Sequence, residues 1–153
     1  MTRRPLVTPR RSFLLAIGAS AALALAGASG CKKDLRCKNC GMRIDPASPW
    51  RAELVSADGT ITTFDTPRCA LQSWRSGKTA AKSLRVQDYY DRQSRDGNDV
   101  RFVLGGDVLG PMGPDLVPVD PARVSKFIQD HGAERALRLD EVTLDVLGGA
   151  VQK

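Results

Sequence analysis

The sequence predicts an α+β fold: two tandem ββαβ modules sharing one core, after a cleaved signal peptide. Three observations predict it. The chain starts with arginines and an apolar run that ends in small residues; two pairs of β-type runs are each followed by a proline-opened helix; and each helix stops at a glycine ahead of a returning strand.

Residues 1–30 read as the signal. The apolar run from Phe13 to Ala26 is shorter than the roughly 20 residues a bilayer-spanning helix needs, so an export signal fits better than a permanent span. Arg10 and Arg11, in "RRSFLL", form the twin-arginine pattern of the Tat route. Ala28-Ser29-Gly30-Cys31 resembles a lipobox, which makes Cys31 the lipidated first residue of the processed chain. Cleavage after Ala28, with Cys31 left as a thiol, is the plainer alternative. Residues 31–49 are then expected to be a lipid-anchored tether that carries "CKNCGM" behind the basic stretch Lys32 to Arg36.

The first module is expected over 50–92. "WRAELVS" and "TITTF" are β-type runs joined by Asp58-Gly59, a hairpin signal. Asp65 or Thr66 supplies an N-cap and Pro67 an early helical position for "RCALQSWRS", which Gly77 ends; "SLRVQDYY" returns as a strand. The second module, 98–146, repeats the order. "VRFVLGG" and "LVPV" are strands, Asp120-Pro121 opens a helix that Gly132 ends, and "ALRLDEV" (136–142) is the returning strand. Setting Gly77 beside Gly132 and Leu84-Arg85-Val86 beside Leu137-Arg138-Leu139 suggests an internal duplication. Each unit alone leaves a sheet face and a helix stripe poorly covered, hence the expectation of one shared core. The end begins as a short helix and frays over 147–153.

The formal charge of +6 falls to +2 once residues 1–30 and their four arginines are removed, and the remaining basic residues are scattered. A polyanion-binding role is therefore discounted. The processed length suits one compact domain. Neither a Ser/His/Asp arrangement nor a GxxxxGK[ST] phosphate loop stands out, so a binding or delivery protein is expected rather than an enzyme.

The side chains that can bind a metal are few: Cys37, Cys40, Cys69, Met42, Met112 and the single histidine, His131, besides carboxylates. Thiolates and thioethers outside the cytoplasm match Cu(I), whereas hard cations ask for oxygen ligands. Cys37 and Cys40 can grip one ion from a tight turn that Gly41 continues. The same pair could be a disulfide, half of a structural zinc shell completed by Cys69 and His131, or a thiol oxidoreductase motif. Cys69 lies in the first turn of a helix, where the dipole lowers a thiol pKa, yet its apolar stripe with Leu71 and Trp74 favours a buried role. Met112, framed in "GPMGP", is better explained as a ligand than as packing. His131, at a helix C-terminus, is either a ligand or a cap.

"CKNCGM", "TTFDTPRCALQSW", "VQDYY", "GGDVLGPMGPDLVPV" and "DHGAERALRLDEV" occur in the order and spacing of the NosL family, which the chain resembles from Cys37 to about Val142. The resemblance implies a pair of ββαβ modules and a surface Cu(I) site that includes Cys37, Cys40, Met42 and Met112, with His131 next and Cys69 last. It also implies a membrane-anchored periplasmic metallochaperone that supplies copper for nitrous oxide reductase assembly, together with a transporter-type maturation complex.

Overall fold

All strand pairing in the computed structural model, which describes residues 34–149, is antiparallel, and the result is a mixed α/β fold of several sheets and few helices. The expected signal, with Arg10 and Arg11, and the lipidation site Cys31 lie outside the described residues. Among the described residues no helix is long and apolar enough to cross a membrane.

Strands β1 (Ala52–Val55) and β2 (Ile61–Phe64) form the expected hairpin. The Asp58 carboxylate closes its turn by accepting from the Thr60 N–H (2.9 Å) and hydroxyl (3.0 Å). Helix α1 (Pro67–Arg75) starts at Thr66, not Asp65: Thr66 has extended backbone, and its hydroxyl accepts from the Cys69 N–H at 3.2 Å. Proline at N1 costs nothing there, because that N–H has no helical partner. Strand β3 (Ser83–Gln87) returns beside β1, and an unexpected edge strand, β4 (Ser94–Asp96), completes the order β2-β1-β3-β4.

In the second half, β5 (Arg101–Gly105) is followed by a two-stranded hairpin, β6 (Leu109–Gly110) and β7 (Gly113–Pro114), with Met112 at its turn. Strand β8 (Val117–Val119), a 3-10 turn at Pro121–Arg123, α2 (Val124–His131) and β9 (Ala133–Leu137) follow, giving the sheet order β8-β5-β9. A second 3-10 turn (Leu139–Glu141) and α3 (Leu144–Gly149) end the described chain.

The second half departs from the expected duplication. The second returning strand is Ala133–Leu137 rather than 136–142, because Gly132, left-handed at φ 64°, turns the chain directly into β9, whereas residues 78–82 separate Gly77 from β3. Leu139 consequently sits in a 3-10 turn, closed where the Arg138 N–H donates to the Glu141 carboxylate, and is not the counterpart of Val86. The larger cluster of buried apolar residues draws on both halves, as a shared core requires, and a second, smaller cluster lies under α2. The cause is β5, whose consecutive Phe102, Val103 and Leu104 are all buried. A strand alternates its faces, so Phe102 and Leu104 join the larger cluster with Leu54, Phe64 and Leu71, while Val103 joins Phe127 and Val119 under α2.

Both ends are tighter than expected. Leu147 is buried, and α3 packs on α1, so fraying does not begin at residue 147. Nor is 34–49 all tether: Cys37 and Ile44 are buried in the larger cluster. The two halves are joined by polar bonds as well. Asp88, fully buried, accepts from the Asp120 N–H at 2.6 Å, and the Tyr89 N–H donates to the Pro118 carbonyl at 2.8 Å.

Candidate metal centre

The cysteine turn is a closed loop held by its own backbone. The Cys37 N–H donates to the Met42 carbonyl and the Gly41 N–H to the Cys37 carbonyl, both at 2.8 Å, and a bridge between Arg36 and Arg43 seals the base. Gly41 has φ 78°, a conformation a side chain would strain, and this lets the chain reverse within so few residues. The turn is pinned to α1 by the Asn39 amide, which donates to the Gln72 side-chain oxygen at 2.9 Å.

Docking the turn there brings Cys37 and Cys40 to Cys69, in the first turn of α1; the three sulfurs lie within 4.8 Å of one another. All three cysteines are free. Cys37 and Cys69 are buried and Cys40 is half-exposed, so an ion would be reached from the Cys40 side.

The thiols are electrostatically unequal. A hydrogen bond from the Cys69 thiol, assisted by the backbone N–H groups of Asp65, Cys40 and Asn39, holds Cys37 down at about 4, against the opposing effect of burial. Cys69 is pushed up, first by serving as that donor and then by burial. The helix N-terminus was expected to lower the Cys69 pKa; the proton it must supply to Cys37 outweighs the dipole. Burial also raises Cys40. Nearby, Asp65 is buried with its Oδ2 unpartnered, and burial and then the Cys37 charge raise its carboxyl.

A cavity of about 200 Å³ opens beside this cluster; Cys40, Cys69, Arg68, Asp115 and Met112 are in its wall. Asp115 is the bracket between the site's two sides: its Oδ1 accepts from the Arg68 N–H of α1 (3.2 Å) and the Leu116 N–H (2.7 Å). Met112 reaches the cavity because the β6-β7 turn, with Gly113 at φ 95°, leans against the start of α1. The two sulfur-bearing loops therefore face one space.

The remaining candidates lie differently. Met42 is exposed in the cysteine turn and does not line the cavity; its N–H donates to the Cys40 sulfur. His131 stands apart from the cysteine cluster. Its Nδ1 is 2.8 Å from an Asp107 carboxylate oxygen, and its ring packs on Phe127 (4.5 Å) and Tyr89 (5.4 Å). A zinc shell of the three cysteines and His131 is consequently not assembled. Sequence reasoning missed Asn39, Gln72, Arg68 and Asp115. Only the spacing Thr66-Pro67-Arg68-Cys69, a cap with cysteine at its third position, signalled that Cys69 faces the start of the helix.

No curated protein sequence matches the chain. Among solved structures it is similar to the copper chaperone NosL from Shewanella denitrificans, with 20% identity and a TM-score of 0.61, over 72% of this chain and 90% of that one. At that identity the likeness establishes a shared fold. The sequence profile of NosL matches residues 29–147, which contain the cysteine turn, the start of α1 and the Met112 hairpin, and on that match this chain belongs to the NosL family.

Proposed function

We propose that this protein is a periplasmic, lipid-anchored Cu(I) metallochaperone that delivers copper for assembly of a copper enzyme, nitrous oxide reductase, in concert with a transporter-type maturation complex. The observation that carries the reading is a cluster of three thiols of which two, buried Cys69 and half-buried Cys40, share a cavity wall with the Met112 thioether. Soft sulfur donors select Cu(I). Transfer needs a shell an incoming ligand can enter, and a site opening past Cys40 and Met112 provides that approach. The NosL match and the copper chaperone among solved structures support the same reading.

The export route, through Arg10 and Arg11, and the anchor at Cys31 belong to this proposal. An anchor confines donor and acceptor to one membrane and raises their effective concentration. So does the tandem ββαβ reading: the two larger sheets share one strand order, β2-β1-β3 and β8-β5-β9, each with the first strand of its unit in the middle.

The test is an anaerobic titration of reduced protein with Cu(I) against a competing chelator. One ion should bind per chain, and Cys40→Ser with Met112→Leu should abolish competition. Zinc retained through chelation, with no Cu(I) bound, would overturn the proposal.

A further inference from the structure

The guanidinium of Arg68 is placed unusually for a cation. Among the described residues Arg68 is the only basic one in the cavity wall, which Cys40 and Cys69 also line, and its Nε and Nη2 are shielded from solvent without a hydrogen-bond partner. Asp115, across the wall, takes its bond from the Arg68 backbone, and no ion pair to the Arg68 side chain is found among the described residues. Arg68 is half-buried, and Asp115 is the charged group it acts on across the wall, so a further negative charge formed in the cavity would be stabilised by the same guanidinium.

Loading the cluster forms such a charge. Two thiolates around a monovalent ion make a net negative complex; around a divalent ion they make a neutral one. A third thiolate makes both more negative and leaves the difference between them unchanged. A fixed cation in the wall stabilises the more negative complex, and the poorly solvated setting strengthens the effect.

We infer that Arg68 is a specificity-determining residue, whose guanidinium, in the cavity wall it shares with Cys40 and Cys69, favours monovalent over divalent ions at the cysteine cluster. This rests on the reading of the cluster as a Cu(I) site. The acids that face the site, Asp65 and Asp115, act in the opposite sense, and the Arg68 charge favours the ionised form of Asp115, so Arg68→Lys, which keeps that charge, is the control for Arg68→Gln. Because Arg68 acts through space and not as a ligand, the sulfur donors stay the same when it is changed.

The experiment measures Cu(I) and Zn(II) affinities of the reduced full chain by chelator competition, for wild type, Arg68→Gln and Arg68→Lys. Arg68→Gln should lower the Cu(I)-over-Zn(II) ratio by about tenfold or more, the effect of removing one charge from the wall of a small cavity in a medium less polar than water. Arg68→Lys should keep the ratio near wild type, and the Cu(I)–thiolate ultraviolet band should be unchanged in both. An unchanged ratio in Arg68→Gln, or equal weakening for both ions, overturns the inference while leaving the Cu(I) reading intact. Should Arg68→Gln fail to fold, Arg68→Lys decides: a ratio that collapses with the positive charge retained is equally fatal. Wild-type protein that binds no Cu(I) removes both readings.

Discussion

The sulfur of Cys69, at the start of α1, lies within 4.8 Å of the sulfur of Cys37 in the docked turn, and their interaction pulls the Cys37 pKa down and pushes the Cys69 pKa up. The site thus begins partly ionised. An incoming Cu(I) meets one anionic sulfur already stripped of its proton and must displace protons only from the others.

The first prediction concerns pH. The Cys37 pKa is lowered in the fold to about 4 from an ordinary 9.0, so its contribution to stability is fully present above 9.0 and is lost as pH falls toward 4. Cys40 and Cys69 are shifted upward, so their contribution is present below 9.0 and declines above it, where the unfolded thiols ionise first. Urea midpoints of the metal-free protein should therefore rise from pH 4 toward 9 and fall beyond. Cys37→Ser should flatten the rising limb; a limb that persists in that variant would refute the assignment.

Cys69→Ala should shift the ultraviolet thiolate titration of Cys37 upward, because it removes the largest stabiliser of the anion. A midpoint that stays near 4 would mean that the backbone N–H groups alone hold the charge.

Met112 and Met42 should behave differently. Met112 lines the cavity and Met42 does not, while both side chains are exposed. Chelator competition should show Met112→Leu weakening Cu(I) binding more than Met42→Leu, with melting temperatures unchanged in both. The reverse order would place the thioether ligand in the cysteine turn.

Gly41→Ala should cost about 1–2 kcal/mol in stability, since the left-handed backbone at φ 78° is strained for a residue with a Cβ. No atom lies within 4 Å of the added carbon, so the cost is one of backbone conformation and not of collision. Denaturant unfolding measures it, and a neutral result would mean that the turn can relax.

His131→Gln should leave Cu(I) affinity unchanged and lower stability, because the ring is engaged with Asp107, Phe127 and Tyr89 rather than with the thiols. A loss of Cu(I) binding without a loss of stability would contradict this placement.

Much of the fold was legible because its signals are local. Asp58-Gly59 encodes a hairpin, Thr66-Pro67 a helix start, and Gly132 a helix end, each through constraints that act within a few residues. The β9 register was harder to read. "ALRLDEV" has strand-like residues, yet Ala133, directly after the left-handed Gly132, already pairs with Gly105 of β5, and the later residues curl into a 3-10 turn. The edge strand β4 was missed for a related reason: "SRD" has no strand signal of its own and is extended because β3 offers it an edge.

The sequence by itself determined the supply of soft ligands, the tight Cys37–Cys40 turn and the Gly/Pro-framed exposure of Met112, since residue type and backbone preference decide these. Only the tertiary structure decided that Cys69 completes the cluster, that Met112 leans over it and that His131 turns toward Asp107. Those outcomes depend on how the turn docks on α1 and how the two halves are joined through Asp88 and Asp115, and contacts between segments distant in the chain leave no periodicity or spacing from which they could be read.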